Sequence, residues 1–322
     1  MKASVYYETG GPEVFRYEDV ADPEVGRTDV LIRVEAISIE GGDTLNRLQG
    51  DLASVPHIVG YQCAGTVTAR GDDVTAFSVG DRVVTTGMDG SHAELRAANQ
   101  AGTWAIPRGL STKEAACVPI AFGTASDCLF EFGRLHRGET VLIHAGASGV
   151  GIAAIQMASQ AGARVLATAS SDERLERLHA FGLHDGINYA TTNFADEVRR
   201  LTGGRGADVI VDSVGGPTLQ RSLTCLAYRG RCVTLGNAGR EETATFDLSS
   251  MRGNNQALIS YFLGAELYTA PRAHTLIAQI LDDVAAGRLS VVLDRQFALK
   301  DAAEAHAYIE SRQAFGRVLL IP

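Results

Sequence analysis

The sequence predicts an α/β protein of two parts, an all-β module that forms a small barrel and a parallel, doubly wound sheet. Of its 322 residues 45% are hydrophobic and 21% are charged, which allows a large core and, at about 150 residues each, two domains. Short strands broken by turns extend to about residue 120, and strands alternate with helices from about residue 123. Glycine contributes 35 residues, an excess that points to tight turns or close approach of the backbone to a ligand.

The first part contains four candidate strands, each next to turn residues. They are expected at 30–37, 64–69, 81–85 and 93–97. The pattern predicts a barrel-like all-β module.

The second part repeats a strand–helix unit. Strands are predicted at 140–145, 164–169, 187–189, 207–212, 231–235 and 257–261, and helices at 150–160, 172–181, 195–201 and 218–226. Its apolar, β-branched strands are typical of a parallel sheet covered by helices on both faces. Two helices around a short strand at 290–293, and a final strand at 317–321, complete the chain.

A glycine-rich loop joins the strand at 140–145 to the next helix. It reads Gly146-Ala147-Ser148-Gly149-Val150-Gly151. Glycine permits a sharp turn and a close approach to a pyrophosphate, whose charge then meets the free N–H groups of the helix N-terminus. The context predicts dinucleotide binding. A structural turn without a ligand is the alternative.

The choice between NAD and NADP is predicted from the end of the next strand. A carboxylate at that point would bind the ribose of NAD, but this strand ends in Ser170 and Ser171, and Arg174 follows. Hydroxyls and a guanidinium suit a 2′-phosphate, so we expect NADPH. Asp172 and Glu173 lie in the first turn of the predicted helix, where the helix dipole favours carboxylates whether or not a ribose is bound. Arg174 as a plain exposed helix cation is the alternative.

Charge and targeting signals exclude other classes of protein. The chain has 29 Lys and Arg against 38 Asp and Glu, a net charge of −9, which opposes nucleic-acid binding. Its N-terminus lacks an apolar signal region, and no apolar stretch reaches about 18 residues. We expect a cytoplasmic protein without a membrane segment. The five cysteines are widely spaced and never form C-x-x-C, so we expect buried free thiols.

Short motifs along the whole chain carry a family resemblance. They are Met1-Lys2-Ala3, Gly10-Gly11-Pro12-Glu13-Val14, Val79-Gly80-Asp81-Arg82-Val83, HAGASGVG at 144–151, Leu201-Thr202-Gly203-Gly204-Arg205-Gly206 before ADVIVDSVGG, Leu235-Gly236-Asn237, and AFGRVLLIP at 314–322. Together they resemble the quinone oxidoreductase, or zeta-crystallin-like, branch of the zinc-independent medium-chain dehydrogenase/reductase superfamily. The resemblance implies a GroES-like β-barrel catalytic domain at 1–122, a Rossmann NADPH-binding domain at 123–262, and a segment at 263–322 that returns to the catalytic domain. Members are commonly homodimers.

The resemblance also implies a set of cofactor contacts. They are Ser148, Gly149, Val150 and Gly151 at the pyrophosphate, Ser170, Ser171, Arg174 and Tyr189 around the 2′-phosphate, Ser213 and Val214 near the adenosine, Thr124, Gly236 and Asn237 near the nicotinamide ribose or ring, and Arg317 reaching back toward the cofactor. Tyr189 as a packed strand-end aromatic and Asn237 as a left-handed turn residue are the alternatives.

Zinc is not expected. At the positions of the zinc ligands of related enzymes this chain has Glu40, Tyr61 and Gln62, in place of the thiolate, imidazole and carboxylate that bind zinc there. Glu40 also replaces an asparagine usual in the resembled branch, and a plain turn residue is one interpretation of it. The adjacent glycines, Gly41-Gly42, would allow the backbone to approach the nicotinamide.

Without zinc, oxidation of an alcohol is disfavoured and reduction of an electron-poor acceptor is expected. We expect an NADPH:quinone oxidoreductase-like enzyme that transfers hydride to a quinone or an α,β-unsaturated carbonyl. The accompanying proton would come from water or a hydroxyl, and the pocket position implied by the resemblance makes Tyr61, Asp43 and Thr124 the candidate donors. An enoyl-thioester reductase and a non-catalytic NADPH-binding protein are the alternatives.

Overall fold

The chain forms two compact units in a computed structural model that describes residues 1–240, 244–246 and 248–322. Met1–Gly123 and Gly264–Pro322 form the first unit, and Thr124–Leu263 form the second. The predicted domain boundaries each differ from these by one residue. Within the described residues, no helix is both long and apolar enough to span a membrane.

The strands follow one another along the chain in this order: β1 (Lys2–Val5), β2 (Arg16–Asp19), β3 (Asp29–Ser38), β4 (Gln62–Arg70), β5 (Arg82–Thr86), β6 (Leu95–Asn99), β7 (Thr103–Ala105), β8 (Thr140–Ile143), β9 (Arg164–Ala169), β10 (Asp185–Asn188), β11 (Ala207–Asp212), β12 (Leu226–Thr234), β13 (Ala257–Ser260), β14 (Leu293–Ala298) and β15 (Arg317–Ile321).

The helices are α1 (Gly41–Gln49), α2 (Thr112–Ala115), α3 (Pro119–Ser126), α4 (Gly149–Gln160), α5 (Asp172–Leu178), α6 (Phe194–Leu201), α7 (Gly216–Thr224), α8 (Ser249–Arg252), α9 (Leu263–Thr269), α10 (Pro271–Ala285) and α11 (Ala302–Glu310). A π-helical turn, Asp127–Glu131, continues α3.

The first unit is built on a seven-stranded sheet in the order β14-β15-β3-β4-β5-β7, with β6 also paired to β3. The C-terminal strand β15 runs antiparallel to β3, where Leu319 pairs with Ser38 and Leu320 with Ile37. Val30, Ile32 and Val67 belong to a buried cluster on this sheet. The end of the chain is therefore part of the same sheet as its first hundred residues.

The prediction that the first part is all-β is wrong, because α1 follows β3 directly. Two glycines at the start of α1 disfavour a helix, but the side chain of Asp43, in its first turn, accepts a hydrogen bond from the backbone N–H of Glu40 at 2.8 Å. This bond satisfies a donor that the helix start would leave unpaired. Gly41-Gly42 are thus the first residues of a helix.

The C-terminal segment differs from the prediction as well. Three helices, α9, α10 and α11, precede β15 where two were expected. Pro271 begins α10, since proline fits the first helical position but interrupts a continuing helix. The strand expected at 290–293 lies instead at Leu293–Ala298, where it pairs in parallel with β15.

The second unit confirms the predicted Rossmann-type parallel sheet. Its six strands are in the order β10-β9-β8-β11-β12-β13 and all pair in parallel. Leu142, Leu166, Ile210 and Cys232 from four strands lie in one buried cluster with residues of α6 and α7. From β8 the chain builds outward in one direction through β9 and β10, and from β11 in the other. This switch point between β8 and β11 is where ligands of such sheets bind.

Candidate active site

The loop after β8 has the geometry of a phosphate-binding turn. Ser148 is the N-cap of α4, and its side-chain oxygen accepts a hydrogen bond from the N–H of Gly151 at 3.0 Å. Ala145 has the left-handed φ of 50° that the turn requires. The loop leaves the N-terminus of a 12-residue helix at the switch point, where the backbone N–H groups and the helix dipole attract an anion.

Two glycines of this loop are required by packing. A Cβ on Gly151 would collide with the carbonyl oxygen of Ala145 and lie 2.6 Å from that of Gly146. A Cβ on Gly146 would lie 2.9 Å from the Cβ of Ala167 on β9. The loop is therefore closed tightly against the sheet, and its residues fit the pyrophosphate of a dinucleotide.

Ser170 and Ser171 follow the carboxyl end of β9, and Arg174 lies in the first turn of α5. Ser170 is exposed, and Ser171 caps α5 by accepting a hydrogen bond from the N–H of Arg174 at 3.4 Å. The carboxylate of Asp172 accepts a hydrogen bond from Asn188 Nδ2 at 3.0 Å. The predicted residues Ser170, Ser171 and Arg174 are thus neighbours at one strand end, and none of them is a carboxylate.

Tyr189 lies beside this strand end. Its backbone N–H donates to the carbonyl of Ala169 at 3.1 Å, and 45% of the residue is exposed. The interpretation of Tyr189 as a packed aromatic is therefore wrong. Its ring is open to a ligand next to Ser170.

The loops after β11 and β12 are tied together by backbone hydrogen bonds. The N–H of Ala238 donates to the carbonyl of Ser213 at 3.0 Å, and that of Gly239 donates to Val214 at 2.9 Å. Asn237, which follows Gly236 in this loop, does not have a positive φ, so its interpretation as a left-handed turn residue is wrong. Ser213, Val214, Gly236 and Asn237 form one connected edge of the sheet.

Asp212 organises this edge and was missed in the sequence. Its carboxylate is fully buried, and one oxygen accepts hydrogen bonds from the N–H groups of Val214 at 2.8 Å and Gly215 at 2.9 Å. The other oxygen has no hydrogen-bond partner among the described residues. An acidic residue that ends a buried strand just before a Gly-Gly pair was the available signal.

Thr124, the first residue of this unit, is buried in α3.

The first unit holds a buried ion pair. The guanidinium of Arg317 donates to the carboxylate of Glu40, to Ser38 Oγ at 2.6 Å and to the carbonyl of Ile39 at 2.9 Å. The side-chain amide of Gln62 donates to the same carboxylate oxygen. Glu40 and Arg317 are more than nine-tenths buried. The interpretation of Glu40 as a turn residue is therefore wrong, and the recorded bonds of Arg317 are to its own unit.

These contacts decide the question of zinc. The Glu40 carboxylate faces a guanidinium and an amide N–H, and burial raises its pKa against the lowering effect of Arg317. One carboxylate oxygen is thus already occupied by a guanidinium and an amide N–H, donors that a metal cation would have to displace. No group of three or more metal-ligating side chains occurs within the described ranges. The residues present at these positions do not fit a zinc ion.

Asp43 is a structural residue of α1. It is fully buried, and its two oxygens accept from the backbone N–H of Glu40 at 2.8 Å and of Tyr61 at 3.1 Å. Burial raises the pKa of Asp43 to about 7, although the hydrogen bond from Glu40 opposes the shift. Because both oxygens hold the backbone in place, Asp43 is a poor candidate for a proton donor to substrate.

Tyr61 is the half-buried aromatic residue of this region. Its hydroxyl accepts a hydrogen bond from Asn46 Nδ2 at 3.2 Å. The ring lies so close to Gly42 that a Cβ there would collide with it. Gly42, unexplained by the sequence, thus makes room for Tyr61.

Comparisons with known proteins agree with this architecture. Residues 26–122 match the alcohol dehydrogenase GroES-like domain, and residues 149–279 match the zinc-binding dehydrogenase family. The quinone oxidoreductase of Pseudomonas aeruginosa is 34% identical over 97% of each chain. The 2-haloacrylate reductase of a Burkholderia species is 33% identical over 100% of this chain and 99% of the relative.

Solved structures give the same result. The Escherichia coli quinone oxidoreductase complexed with NADPH has a TM-score of 0.93 and 26% identity, with full coverage of both chains. The CurK enoyl reductase has a TM-score of 0.87 and 26% identity over 99% of each chain.

A GroES-like unit joined to a glycine-loop parallel sheet defines the medium-chain dehydrogenase/reductase class. Within that class, the full-length relatives and the Glu40, Tyr61 and Gln62 positions decide the branch. The chain belongs to the zinc-independent quinone oxidoreductase branch of the medium-chain dehydrogenase/reductase superfamily and is an oxidoreductase.

Proposed function

We propose that the protein is an NADPH-dependent reductase that transfers hydride to a quinone or an α,β-unsaturated carbonyl. The observation that carries the proposal is the carboxyl end of β9, where Ser170, Ser171 and Arg174 take the place of the carboxylate that would bind the ribose of NAD. When bound, NADPH supplies the hydride. The protein orients the substrate against the cofactor and stabilises the charge that develops during the reaction. The complex of the Escherichia coli relative with NADPH supports this choice.

The cofactor contacts follow from the loops of the second unit. Ser148, Gly149, Val150 and Gly151 bind the pyrophosphate, since their N–H groups lie at the start of α4. Ser170, Ser171, Arg174 and Tyr189 bind the 2′-phosphate, Ser213 and Val214 border the adenosine, and Thr124, Gly236 and Asn237 contact the nicotinamide ribose or ring. The recorded bonds of Arg317, to Ser38, Ile39 and Glu40, use its Nε and Nη2 groups, and a contact of Arg317 with the cofactor stays a prediction.

The acceptor is electron-poor. Glu40, Tyr61 and Gln62 do not suit zinc, so no Lewis acid at these positions ionises an alcohol. Two classes of acceptor take hydride directly: quinones, as the name of the Pseudomonas aeruginosa relative indicates for that protein, and conjugated alkenes, as 2-haloacrylate is for the Burkholderia relative.

A panel assay tests the proposal. Purified protein is mixed with NADPH or NADH and with a series of quinones, enals and enoyl-coenzyme A esters, and loss of absorbance of the reduced cofactor is followed. We expect turnover with NADPH and with a member of the first two groups. Tight NADPH binding without oxidation by any acceptor would overturn the proposed reaction.

An enoyl-thioester reductase is the second candidate, favoured by the likeness to the CurK enoyl reductase. The same panel distinguishes it. A kcat/KM for enoyl-coenzyme A esters far above that for free enals would favour the thioester, because the extra contacts to the carrier then contribute to binding.

We also propose a cytoplasmic homodimer. The strand β13 is the edge of the six-stranded sheet, where a second copy would extend the ladder, and Phe262 next to it is 53% exposed. The five cysteines are free and buried, which suits a reducing compartment. Light scattering on a sizing column should give twice the mass of the 34.1 kDa chain, and cell fractionation should recover the protein with cytoplasmic markers.

A further inference from the structure

We propose that His144 and Thr168 are positioning residues that set the preference for NADPH over NADH, because their hydrogen bond fixes the glycine loop relative to the residues proposed for the 2′-phosphate. Neither residue is among the proposed cofactor contacts. The inference rests on the proposed function, in which NADPH is the cofactor, and concerns how the same site selects it. It comes from a buried polar group of side chains in the second unit, the His144 cluster, which consists of His144, Thr168 and Ser222.

His144 lies between strand β8 and the glycine loop, and it bonds to the elements on both sides. Its backbone N–H donates to the carbonyl of Val211 on β11 at 3.0 Å. Its ring nitrogens lie 3.1 Å from Thr168 Oγ1 on β9 and 2.9 Å from Ser222 Oγ on α7. Since β9 and β11 are the two neighbours of β8 in the sheet, His144 ties the start of the loop to both of them.

Thr168, one residue before the end of β9, binds the loop segment twice. Its carbonyl accepts a hydrogen bond from the N–H of Gly146 at 2.8 Å, and its hydroxyl bonds to the His144 ring. Ser170 and Ser171 follow it directly after the strand end. Two bonds at different points resist a tilt of the strand end that one bond would permit. The glycine loop and the residues proposed for the 2′-phosphate are therefore held in register by Thr168.

The hydrogen-bond partners assign the proton of the imidazole. The hydroxyl of Ser222 donates to the carbonyl of Thr218 at 2.8 Å, and a hydroxyl has only one proton to give. Its oxygen must therefore accept from His144 Nε2–H. The neutral ring then has a bare Nδ1, which accepts from the hydroxyl of Thr168. The neutral Nε2–H tautomer satisfies every bond of the cluster.

The surroundings of the His144 cluster keep the ring neutral and in place. His144, Thr168 and Ser222 are each more than nine-tenths buried. Burial lowers the pKa of His144, although the negative charge of Asp212 opposes the shift. Phe194 packs edge-on against the imidazole, with 4.7 Å between the ring centroids. Loss of one partner would leave the other buried without a hydrogen bond, so the cluster resists rearrangement.

The two phosphate sites have to be filled by one molecule. NADPH carries its pyrophosphate and its 2′-phosphate on the same adenosine ribose, so both are bound well only when the spacing between their sites is correct. NADH has no 2′-phosphate and depends on the glycine loop alone. A shift of the end of β9 against the loop therefore weakens the binding of NADPH more than that of NADH, because a site that is not preorganised loses binding energy.

The first test compares two substitutions of Thr168. Thr168→Val keeps the branched shape of the side chain and removes its hydroxyl, whereas Thr168→Ser keeps the hydroxyl. The measured quantity is kcat/KM for NADPH divided by kcat/KM for NADH. It should fall by about three- to tenfold in Thr168→Val, as expected for loss of one hydrogen bond, and stay close to the wild-type ratio in Thr168→Ser. An unchanged ratio in Thr168→Val, or an equal fall in Thr168→Ser, would overturn the proposal.

Val165→Ala is the matched control for stability. Val165 is fully buried near the opposite end of the same strand. Its truncation should lower the melting temperature, because it leaves a cavity in the core, and should leave the cofactor ratio at its wild-type value. A fall in the ratio as large as that in Thr168→Val would mean that lost stability, and not the position of the strand end, changes the preference.

The second test asks whether the two residues act through one bond. His144→Leu removes the imidazole, and the double variant His144→Leu/Thr168→Val removes both partners. The cofactor ratio of the double variant should be no lower than that of His144→Leu alone, because the bond is already lost there. Losses that multiply would show that the two residues act independently and would contradict the proposal.

The third test needs no turnover. In protein labelled with ¹⁵N at histidine, the ring resonances that disappear in His144→Leu should show a protonated Nε2 and an unprotonated Nδ1 at neutral pH. A proton on Nδ1 would overturn the assigned bond to Thr168. Wild-type protein that uses NADH as well as NADPH contradicts the proposed cofactor itself, whereas a wild-type preference for NADPH that persists in Thr168→Val contradicts only the role of His144 and Thr168.

Discussion

The guanidinium of Arg317 pairs with the carboxylate of Glu40, 277 residues earlier in the chain. Arg317 begins the last strand, β15, and Glu40 caps the first helix, α1. Both residues are almost completely buried. The helix that carries Asp43 and Asn46 is therefore anchored to the C-terminal strand by an ion pair shielded from water.

Breaking this ion pair should destabilise the protein strongly. Arg317→Met leaves the Glu40 carboxylate buried without its charge partner, which typically costs about 3–5 kcal/mol. The double variant Glu40→Gln/Arg317→Met removes both charges and should recover much of that loss. Urea unfolding with the three proteins measures the difference. If the double variant is as unstable as Arg317→Met, the instability of Arg317→Met comes from lost packing and not from the unpaired charge of Glu40.

Stability should fall with rising pH because of Asp43. The unfolded carboxyl loses its proton near its ordinary pKa of 3.8, whereas the folded one holds it up to about 7. The folded state therefore binds more protons between these values, and its advantage is lost as the pH rises through about 7. Asp43→Asn removes the titration. Its free energy of unfolding should be lower at acid pH but should change less between about pH 5 and 8; equal slopes would contradict this.

Cofactor preference should depend on Arg174. Arg174→Glu replaces a partner of the 2′-phosphate by a repelling charge, and loss of a hydrogen bond to a charged group is worth about 1.5–3 kcal/mol, or roughly 10- to 100-fold in KM for NADPH. KM for NADH should change much less. Arg177→Glu, on the same helix, makes the same change in net charge and serves as the control. Similar losses for both cofactors would remove Arg174 from the 2′-phosphate site.

We expect Asp212 to affect the binding of NADPH and to have little effect on the rate of the chemical step. Asp212→Ala frees the N–H groups of Val214 and Gly215, so the loop loses its shape and KM for NADPH should rise about tenfold with kcat little changed. Asp212→Asn keeps one oxygen that accepts both N–H groups and should lose less. Steady-state kinetics with varied NADPH measures both. Equal effects of the two variants, or a loss confined to kcat, would argue against this role.

The second unit was predictable because its signals are local. The strands β9 and β11 have the predicted bounds, since each is a continuous apolar run ended by turn residues, and the glycine loop stands between a strand and a helix in the sequence itself. Tertiary contacts there only reinforce what neighbouring residues already favour.

The region around Glu40 was not predictable in the same way. The stability of α1 depends on Asp43, whose role as acceptor for the N–H of Tyr61 spans 18 residues, and on Arg317 near the end of the chain. Gly41-Gly42 argue for a turn by propensity, and only the ring of Tyr61 explains why the second glycine is needed. Such long-range contacts override propensity and leave no local pattern to detect.

The first unit consists of two segments that flank the second unit in the chain. During synthesis, residues 124–263 are complete before β14 and β15 have been made. The second unit can therefore fold first, because a domain folds once its own residues have emerged. Glu40 has no cationic partner until residue 317 has been synthesised and has left the ribosome, so the anchored form of α1 arises only after the residues of the second unit have been made.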